Sequence, residues 1–431
     1  MTQPPPGPTG DDWGRRNHEF WQVDKFAFLK ALAEDYGDIV SFDLGRSRCI
    51  LVNGAPEVRE LFFEREASLR KPEFVKDSNR GHWGDGLTTL EGPAWRARRR
   101  ELVPLFGRNK LSPWLSVAHQ CTADMLDAWT PDTEVDLPRE LRILTARIAV
   151  RAVLDAELEG YGSGTGRAGL VPFEEAYGED YASKPGGDPT APLVMMRPRA
   201  PRRMDAVARI VEGRLASGQR RGDILSDLVH SALADGRKIP RDEIMTEVVQ
   251  MLYAGHLTIP FVMVNFWRDI AAHKATAAVS TEAEGLATMA TPDMAVLSAS
   301  YCMAALKESM RLHPPAPILY REVESSFELG GFEFARDTAV WVSSHLLHRD
   351  ARYFSEPECF LPERFAKDSP MSASRSAYLP FGAGRRICIA SELALHQMTL
   401  IALLAARRFQ LLPINSGSKF LINRRLSGGA C

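Results

Sequence analysis

The chain is short of the features that mark several protein classes. It has six cysteines in 431 residues, and they lie far apart with no C-x-x-C pair. That spacing excludes a compact disulfide framework and a zinc finger, and it predicts a reduced, cytoplasmic protein. No run of about 18 consecutive apolar residues occurs. The first residues are polar and proline-rich, so we expect neither a signal peptide nor a membrane anchor.

An excess of charge of one sign is also missing. The 53 Lys and Arg against 55 Asp and Glu leave a formal net charge of −2. Such a chain has no global field to gather nucleic acid or acidic lipid, and we predict neither as a partner. With 45% hydrophobic and 25% charged residues, the composition is that of a globular protein and excludes disordered, collagen-like and coiled-coil classes.

Apolar residues recur at three- and four-residue spacing along much of the chain, which predicts amphipathic helices. The predicted helices cover residues 95–106, 115–129, 139–159, 204–218, 241–274, 297–312 and 392–408. The longest, 241–274, is apolar on most sides, which indicates a buried central helix with a kink at Pro260. Residues 160–203 are rich in Gly, Pro and Ala and are predicted to form a surface loop or a lid.

Alternating patterns predict a minor β-sheet region. Residues 39–44 and 48–52 are typical of a hairpin, and residues 318–344 are typical of a second small sheet broken at Gly330-Gly331 and Asp337. The sequence contains no internal repeat. No shift in composition is sharp enough to indicate a linker between domains. Residues 1–431 are therefore predicted to form a single, mainly α domain, with residues 1–15 as a flexible N-terminus.

The segment PFGAGRRICIA, residues 380–390, carries the most chemical information. Its glycines let the backbone turn close to Cys388, which stands just before the predicted helix 392–408. Backbone amides at a helix N-terminus stabilise a thiolate. A thiolate there fits a nucleophile, a redox thiol or a metal ligand, and these alternatives stay open on the residues alone.

The stretch F-G-A-G-R-R-I-C resembles F-x-x-G-x-R-x-C, the haem-ligand loop of the cytochrome P450 family. Three further segments resemble motifs of that family in the family's order: A-G-H-L-T at 254–258, E-S-M-R at 308–311 and P-E-R-F at 362–365. The resemblance runs from Trp95 to Ala390, where the family usually has glycine. It implies the P450 fold, a triangular helical prism with a minor β-sheet region, and haem b with Cys388 as its axial thiolate ligand.

The resemblance also implies roles for individual residues. The haem-binding positions are Trp95, Arg99, Arg321, Phe381, Gly382, Arg386 and Cys388, of which Trp95 and the arginines hold the propionates. A structural network is implied for Glu308, Arg311 and Arg364. The oxygen-activation segment contains Ala254, Gly255, His256 and Thr258, with Leu257 in place of the usual carboxylic acid. Substrate-contacting positions are, by analogy, Phe74, His82, Trp83, Leu87, Tyr253, Leu257, Ile318, Leu319 and Phe420.

Some of these residues have a plainer interpretation. The Thr258 hydroxyl donates either to dioxygen and water or only to its own helix. His256 either delivers protons or is an ordinary core or surface histidine. Three further arginines that follow Trp95 are expected to be solvated and to flank a face that docks an acidic electron-transfer protein; they are Arg96, Arg98 and Arg100.

The resemblance implies a monomeric monooxygenase of secondary metabolism. It would oxidise a hydrophobic or aromatic small molecule with dioxygen and with electrons from a ferredoxin or flavodoxin and its reductase. Leu257 keeps other functions open because the usual proton-delivering acid is missing there. The alternatives are coupling, ring closure or desaturation, peroxide-using or isomerase chemistry, and a haem-thiolate protein that binds without catalysis.

Overall fold

The architecture is given by a computed structural model. It describes residues 3–8, 13–45, 47–157, 204–234, 240–285, 291–367, 369, 376–414 and 419–424. The segment 160–203, for which the sequence predicts a surface loop or a lid, lies outside the described residues. The side chains of three predicted substrate-contacting residues lie outside them as well, namely His82, Trp83 and Leu257.

Helices make up most of the described residues. They are α1 (Trp13–Val23), α2 (Lys25–Tyr36), α3 (Ala55–Phe63), α4 (Glu73–Trp83), α5 (Gly92–Leu102), α6 (Leu111–Asp127), α7 (Leu137–Leu154), α8 (Met204–Ser217), α9 (Ile224–Ala234), α10 (Arg241–Ala272), α11 (Thr276–Gly285), α12 (Pro292–Ser298), α13 (Ser300–Leu312), α14 (Ser344–Leu347) and α15 (Ser391–Arg408). The strands are β1 (Ile39–Leu44), β2 (Ser47–Val52), β3 (Leu69–Arg70), β4 (Thr133–Asp136), β5 (Ile318–Val323), β6 (Phe327–Leu329), β7 (Phe332–Phe334), β8 (Ala339–Ser343), β9 (Phe409–Pro413) and β10 (Lys419–Arg424).

One compact unit contains residues 1–77 and 308–389 and carries the larger sheet. Its five strands lie in the order β1-β2-β8-β5-β3, with β6 and β7 as a separate hairpin. The predicted hairpin is confirmed, because β1 pairs with β2 in antiparallel register with Ile39 opposite Val52. The predicted strands within residues 318–344 are present as β5 to β8. They do not form a second sheet as predicted, because β8 pairs with β2 in parallel and brings β5 into the same sheet, while β6 and β7 pair with each other.

Side chains of this sheet alternate between two cores, as the pleat of a strand requires. On one face, Ile50 packs with Leu61 of α3. On the other face, Leu51 and Trp341 pack with Leu29 of α2. Both faces of the sheet are therefore covered, and α3 is held against the strands by its apolar side.

The second compact unit contains residues 78–307 and 390–431 and is mainly helical, with a small sheet in the order β4-β10-β9. Helix α10 packs along α7 and also contacts α15. Among the described residues, α10 alone is long and apolar enough to cross a membrane, but 65% of its most apolar 18-residue window is buried, as is usual for a core helix. That the two units make one domain stays a prediction.

Helix α10 continues through Pro260. Proline has no N–H, so the carbonyl of His256, four residues earlier, lacks its intrahelical donor. The hydroxyl of Thr145 on α7 lies 3.3 Å from that carbonyl and 2.8 Å from the carbonyl of Leu141. A side chain of a neighbouring helix thus stands where the missing amide would bond. The predicted kink at Pro260 stays a prediction.

Two predicted helices have different limits in the structure. Helix α7 ends at Leu154, short of residue 159, because Asp155 adopts a left-handed conformation with φ 49° and ψ 50°. The predicted helix 297–312 was wrong as a single element, since α12 and α13 are separated at Ala299, whose ψ of 73° is not helical.

Candidate functional site

The loop that ends at Cys388 is tightly closed. The N–H of Cys388 donates to the carbonyl of Phe381 at 2.9 Å. Between them, Gly382 and Gly384 have φ values of 77° and 66°, a region that favours glycine. The Cys388 side chain is exposed, whereas Phe381 and Gly382 are half-buried. The loop therefore presents a thiol on a backbone that its own hydrogen bond and glycines hold in place.

Helix α3 supports this loop through Phe62. A Cβ atom on Gly384 would lie 2.2 Å from the Phe62 carbonyl oxygen, so the loop backbone rests directly on the end of α3. The guanidinium of Arg321 lies 5.1 Å from the Phe62 ring. Arg385 is exposed and pairs with Glu66 at 3.1 Å. Arg386, the predicted propionate partner, is half-buried.

A buried charge network lies in the same unit. The carboxylate of Glu308 accepts two hydrogen bonds from Arg311, at 2.8 and 2.9 Å. It also accepts the Nε of Arg364 at 3.2 Å and the N–H of Leu361 at 2.8 Å. Glu308 and Arg311 have no exposed surface. Four donors therefore satisfy the buried carboxylate, as a charge in a low-dielectric interior requires.

His348 connects this network to the cysteine loop. Its Nδ1 lies 3.0 Å from the carbonyl of Arg311 and must donate there, so its Nε2 is free to accept the N–H of Leu379 at 2.8 Å. Burial lowers the pKa of His348 to about 3, which keeps the imidazole neutral. The carbonyl of Leu379 in turn accepts the N–H of Gly382 at 3.1 Å. The histidine thus links the buried arginine to the first turn of the loop, a role that no sequence motif indicated.

In the other unit, α5 carries the predicted propionate partners Trp95 and Arg99. Trp95 is buried, and the Arg99 guanidinium lies 5.7 Å from its ring. The expectation that Arg98 is solvated was wrong, because only 7% of its surface is exposed and Nη1 bonds to Glu247 at 2.8 Å. Two other arginines of α5 are exposed as predicted, namely Arg96 and Arg100.

The predicted oxygen-activation segment lies in the middle of α10. Ala254 and Thr258 are exposed and stand one turn apart on the same side of the helix. The Thr258 hydroxyl lies 3.4 Å from the Ala254 carbonyl, which is long for an O–H···O bond. Gly255 faces α7, where a Cβ atom would lie 3.7 Å from the side chain of Ala149. Gly255 therefore lets α10 lie close to α7, while Ala254 and Thr258 stay exposed.

His256 points into the protein. Its Nδ1 lies 2.9 Å from the carbonyl of Leu252 in the same helix, and only 2% of its surface is exposed. Burial lowers the pKa of His256 to about 4, against the smaller opposing effect of that hydrogen bond. The half-buried ring of Tyr253 lies 5.7 Å away. This environment is that of an ordinary core histidine.

The predicted substrate-contacting residues differ in exposure. Phe74 is 53% exposed, with its ring 5.5 Å from that of Tyr320. Leu87 and Leu319 are half-buried, whereas Ile318 and Phe420 belong to the cores of their units. Among the described residues, no cluster of three or more His, Cys, Asp and Glu side chains forms a metal site.

Comparisons with known proteins agree with this arrangement. A sequence model of the family "Cytochrome P450" matches residues 13–156 and 200–428. Two similar proteins of Streptomyces melanosporofaciens, cyclooctat-9-en-7-ol 5-monooxygenase and cyclooctatin synthase, are each 28% identical over 90% of this chain and 85% of their own length. The structure of cyanobacterial CYP120A1 with bound retinoic acid has a TM-score of 0.78 at 22% identity, covering 96% of this chain and 94% of that one. The chain has the P450 fold and belongs to the cytochrome P450 family of oxidoreductases.

Proposed function

We propose that the chain is a haem-thiolate monooxygenase that oxidises a hydrophobic or aromatic small molecule of secondary metabolism. Its cofactor is haem b, its electrons come from a ferredoxin or flavodoxin and its reductase, and it works as a cytoplasmic monomer. The bound haem supplies the iron that activates dioxygen, while a cysteine thiolate favours O–O cleavage by donating electron density.

The observation that carries this proposal is the loop around Cys388. An exposed thiol can serve as an axial ligand when neighbouring hydrogen bonds and packing fix the backbone that carries it. Here the N–H of Cys388 bonds to Phe381, and Gly384 rests on Phe62. The chain of hydrogen bonds through His348 then ties the loop to buried charges. The donor set fits a haem, and we assign the thiolate ligand to Cys388.

We assign cationic side chains to the haem propionates. Carboxylates that leave water need charge-assisted hydrogen bonds. The Arg99 guanidinium lies 5.7 Å from the ring of the buried Trp95, and we assign this guanidinium and the indole N–H as propionate donors. Arg321 and Arg386 are both half-buried and complete the set.

We assign proton transfer to Thr258 and water rather than to His256. The Thr258 hydroxyl is exposed, and its long contact with Ala254 leaves it able to reorient. His256 is buried, and its pKa of about 4 leaves the imidazole neutral near neutral pH, with its Nδ1–H bonded to the Leu252 carbonyl. Its role is to pack α10, which is the plainer interpretation of this residue.

The decisive experiment is the reduced carbon monoxide difference spectrum of the purified protein and two variants. Cys388→Ser removes the assigned ligand, whereas Cys359→Ser changes the other exposed cysteine of the described residues. We expect a thiolate-type band that Cys388→Ser abolishes and Cys359→Ser retains. A band that survives Cys388→Ser would overturn the assignment.

Substrates are then screened with ferredoxin and reductase, and in parallel with peroxide alone. Cyclooctat-9-en-7-ol is the first probe, because a similar protein carries that compound in its name. Electron consumption that depends on the probe, with one oxygen atom of O2 in the product, supports the proposal. Turnover with peroxide alone identifies a peroxide-using enzyme, and a haem-loaded protein that no probe activates identifies a binding protein.

Leu257 favours a second candidate, an oxidation that ends in coupling, ring closure or desaturation. A leucine stands where the family usually has a proton-delivering acid. The variant Leu257→Glu restores the acid, and the products and the ratio of product to electrons are measured. Altered products support the second candidate, whereas improved coupling with an unchanged product supports simple hydroxylation.

A further inference from the structure

The turn that contains Leu87 is closed by its own hydrogen bonds. The N–H groups of Thr89 and Leu90 both donate to the carbonyl of Gly86 at 2.9 Å. The Thr89 hydroxyl accepts the N–H of Gly86, also at 2.9 Å. The turn Gly86–Leu90 is therefore a preformed unit whose outward amides, those of Leu87 and Thr88, are left to bond elsewhere.

Two side chains of α10 accept those outward amides. The Oε1 of Glu247 accepts the N–H of Leu87 at 3.0 Å, and the Oε1 of Gln250 accepts the N–H of Thr88 at 3.1 Å. The two side chains are three residues apart and thus share one face of the helix. Both are buried, with 1% and 6% of their surface exposed. We call Glu247 and Gln250 the latch.

Gly86 lets the turn lie directly on α10. A Cβ atom there would lie 2.6 Å from Nε2 of Gln250 and 2.8 Å from Cγ2 of Thr246. Real Cβ atoms do not approach other atoms so closely, so a larger residue at this position would push the latch side chains aside. The contact is therefore built from both sides, by the turn and by the helix.

The latch is itself held in place by α5. Arg98 donates to the same Oε1 of Glu247 at 2.8 Å and also bonds to Glu243. A salt bridge of 3.2 Å joins it to Glu101 on its own helix. Because Arg98 is buried, this charge-assisted contact is not screened by water. One carboxylate oxygen thus joins α5, α10 and the turn that carries Leu87.

We propose that Glu247 and Gln250 are positioning residues that set the selectivity for apolar ligands by fixing the backbone on both sides of the Leu87 side chain. The inference deepens the proposed function and depends on Leu87 being a substrate-contacting residue. A fixed turn keeps the half-buried Leu87 at one position, so ligands are discriminated by size. A released turn moves Leu87 and weakens that discrimination.

The first test is hydrogen exchange of the haem-loaded full chain at the peptide that contains Leu87 and Thr88. Glu247→Ala removes an acceptor, whereas Glu247→Gln keeps an oxygen at the same place. We expect exchange to rise about tenfold in Glu247→Ala, as the loss of one buried hydrogen bond implies, and to change little in Glu247→Gln. Asp242→Asn, at a 91% exposed side chain of the same helix, is the matched control.

The second test is ligand binding to the same variants, followed by the spectral shift of the haem. The probes are imidazole, 4-phenylimidazole and clotrimazole, which coordinate through the same nitrogen and differ in apolar bulk. In Glu247→Ala we expect the ratio of the Kd values for 4-phenylimidazole and clotrimazole to change about tenfold. The Kd for imidazole, which carries no added apolar bulk, should change less than about threefold.

Both tests are repeated with Gln250→Ala, which removes the acceptor of the Thr88 amide. If Glu247→Ala does not fold, the results for Gln250→Ala decide whether the latch fixes the turn and sets selectivity. Unchanged exchange in the alanine variants would overturn the latch. Faster exchange with an unchanged ratio of Kd values would overturn its role in selectivity. The exchange result does not depend on turnover, so it tests the latch alone. The proposed function is tested separately, because it would be overturned by a missing thiolate-type band in the wild-type protein.

Discussion

The Nε2 atom of His348 accepts the N–H of Leu379 at 2.8 Å, and this single bond joins the buried arginine network to the loop that presents Cys388. The imidazole is neutral and its tautomer is set by the carbonyl of Arg311 at Nδ1. Both ring nitrogens thus form hydrogen bonds. A substituted side chain that has no acceptor atom in the place of Nε2 would leave the Leu379 N–H buried without a hydrogen bond.

His348→Phe tests the importance of that bond. Phenylalanine keeps an aromatic ring but leaves the amide of Leu379 unsatisfied, so we expect a loss of about 1–3 kcal/mol in the free energy of unfolding. We also expect faster loss of the thiolate-type carbon monoxide band, because the loop backbone is released. Urea unfolding and the decay of the band measure these two effects. His345→Phe, where the ring stacks on Phe26, should leave the band stable; equal decay in both variants would contradict the prediction.

The network around Glu308 should respond strongly to the loss of its charge. Glu308→Gln leaves Arg311 and Arg364 buried without a counter-ion, and we expect a loss of about 3–5 kcal/mol in unfolding free energy. The control is Asp43→Asn, which breaks the exposed pair with Arg48 at 3.0 Å and should cost at most about 1 kcal/mol. A difference between the two variants smaller than about 1 kcal/mol would show that the burial of the network adds nothing.

Two glycines of the cysteine loop form a matched pair for a steric test. Both have positive φ, so alanine costs about 1–2 kcal/mol at either position. Gly382 has no atom within 4 Å of a built Cβ, whereas Gly384 meets the Phe62 carbonyl. We expect Gly384→Ala to lose more than about 3 kcal/mol and to bind haem poorly, unlike Gly382→Ala. Equal losses in thermal unfolding would argue against contact between the loop and α3.

Glu247 should give the protein a distinctive pH dependence. Burial raises its pKa to about 7, against Arg98 and the Leu87 amide, and nearby Glu101 adds to the rise; Glu243 also contacts Arg98. At this carboxyl the folded state therefore binds more protons than the unfolded state between pH 4.5 and about 7. This contribution to stability is complete below pH 4.5 and is lost as the pH rises through 7.

The measurement is urea unfolding of the wild-type protein and Glu247→Gln across that pH range. Relative to the variant, the wild-type protein should lose about 1.4 kcal/mol per pH unit, and about 3 kcal/mol in all. Glutamine does not titrate, so the difference isolates this carboxyl. Parallel curves for the two proteins would contradict a raised pKa.

Much of the fold could be predicted because helix periodicity and helix caps depend on residues that are close together in the sequence. The helices around residues 241–274 and 392–408 correspond to α10 and α15. Helix α2 also had a readable signal that our prediction did not use, since the side chain of Asp24 caps it by accepting the N–H groups of Phe26 and Ala27. By contrast, α7 ends because Asp155 adopts a left-handed backbone conformation, which the spacing of apolar residues does not predict.

Partners that are distant in the sequence could not be predicted. Arg98 stands in a run of arginines and looks solvated, yet its acceptors Glu243 and Glu247 are contributed by α10. Likewise His348 is brought to Leu379 only by the folded chain. Sequence motifs identify Glu308, Arg311 and Cys388. The residues that hold them in position can be identified only from contacts in the folded structure.

Pro260 has one more consequence for how this part of the molecule can move. The His256 carbonyl, which Pro260 leaves without an amide donor, lies 3.3 Å from the Thr145 hydroxyl, so α7 meets the backbone of α10 two residues before Thr258. Sliding either helix alone would strip that oxygen of its donor in a dry environment. We therefore expect α10 and α7 to shift together where a ligand presses on this part of α10.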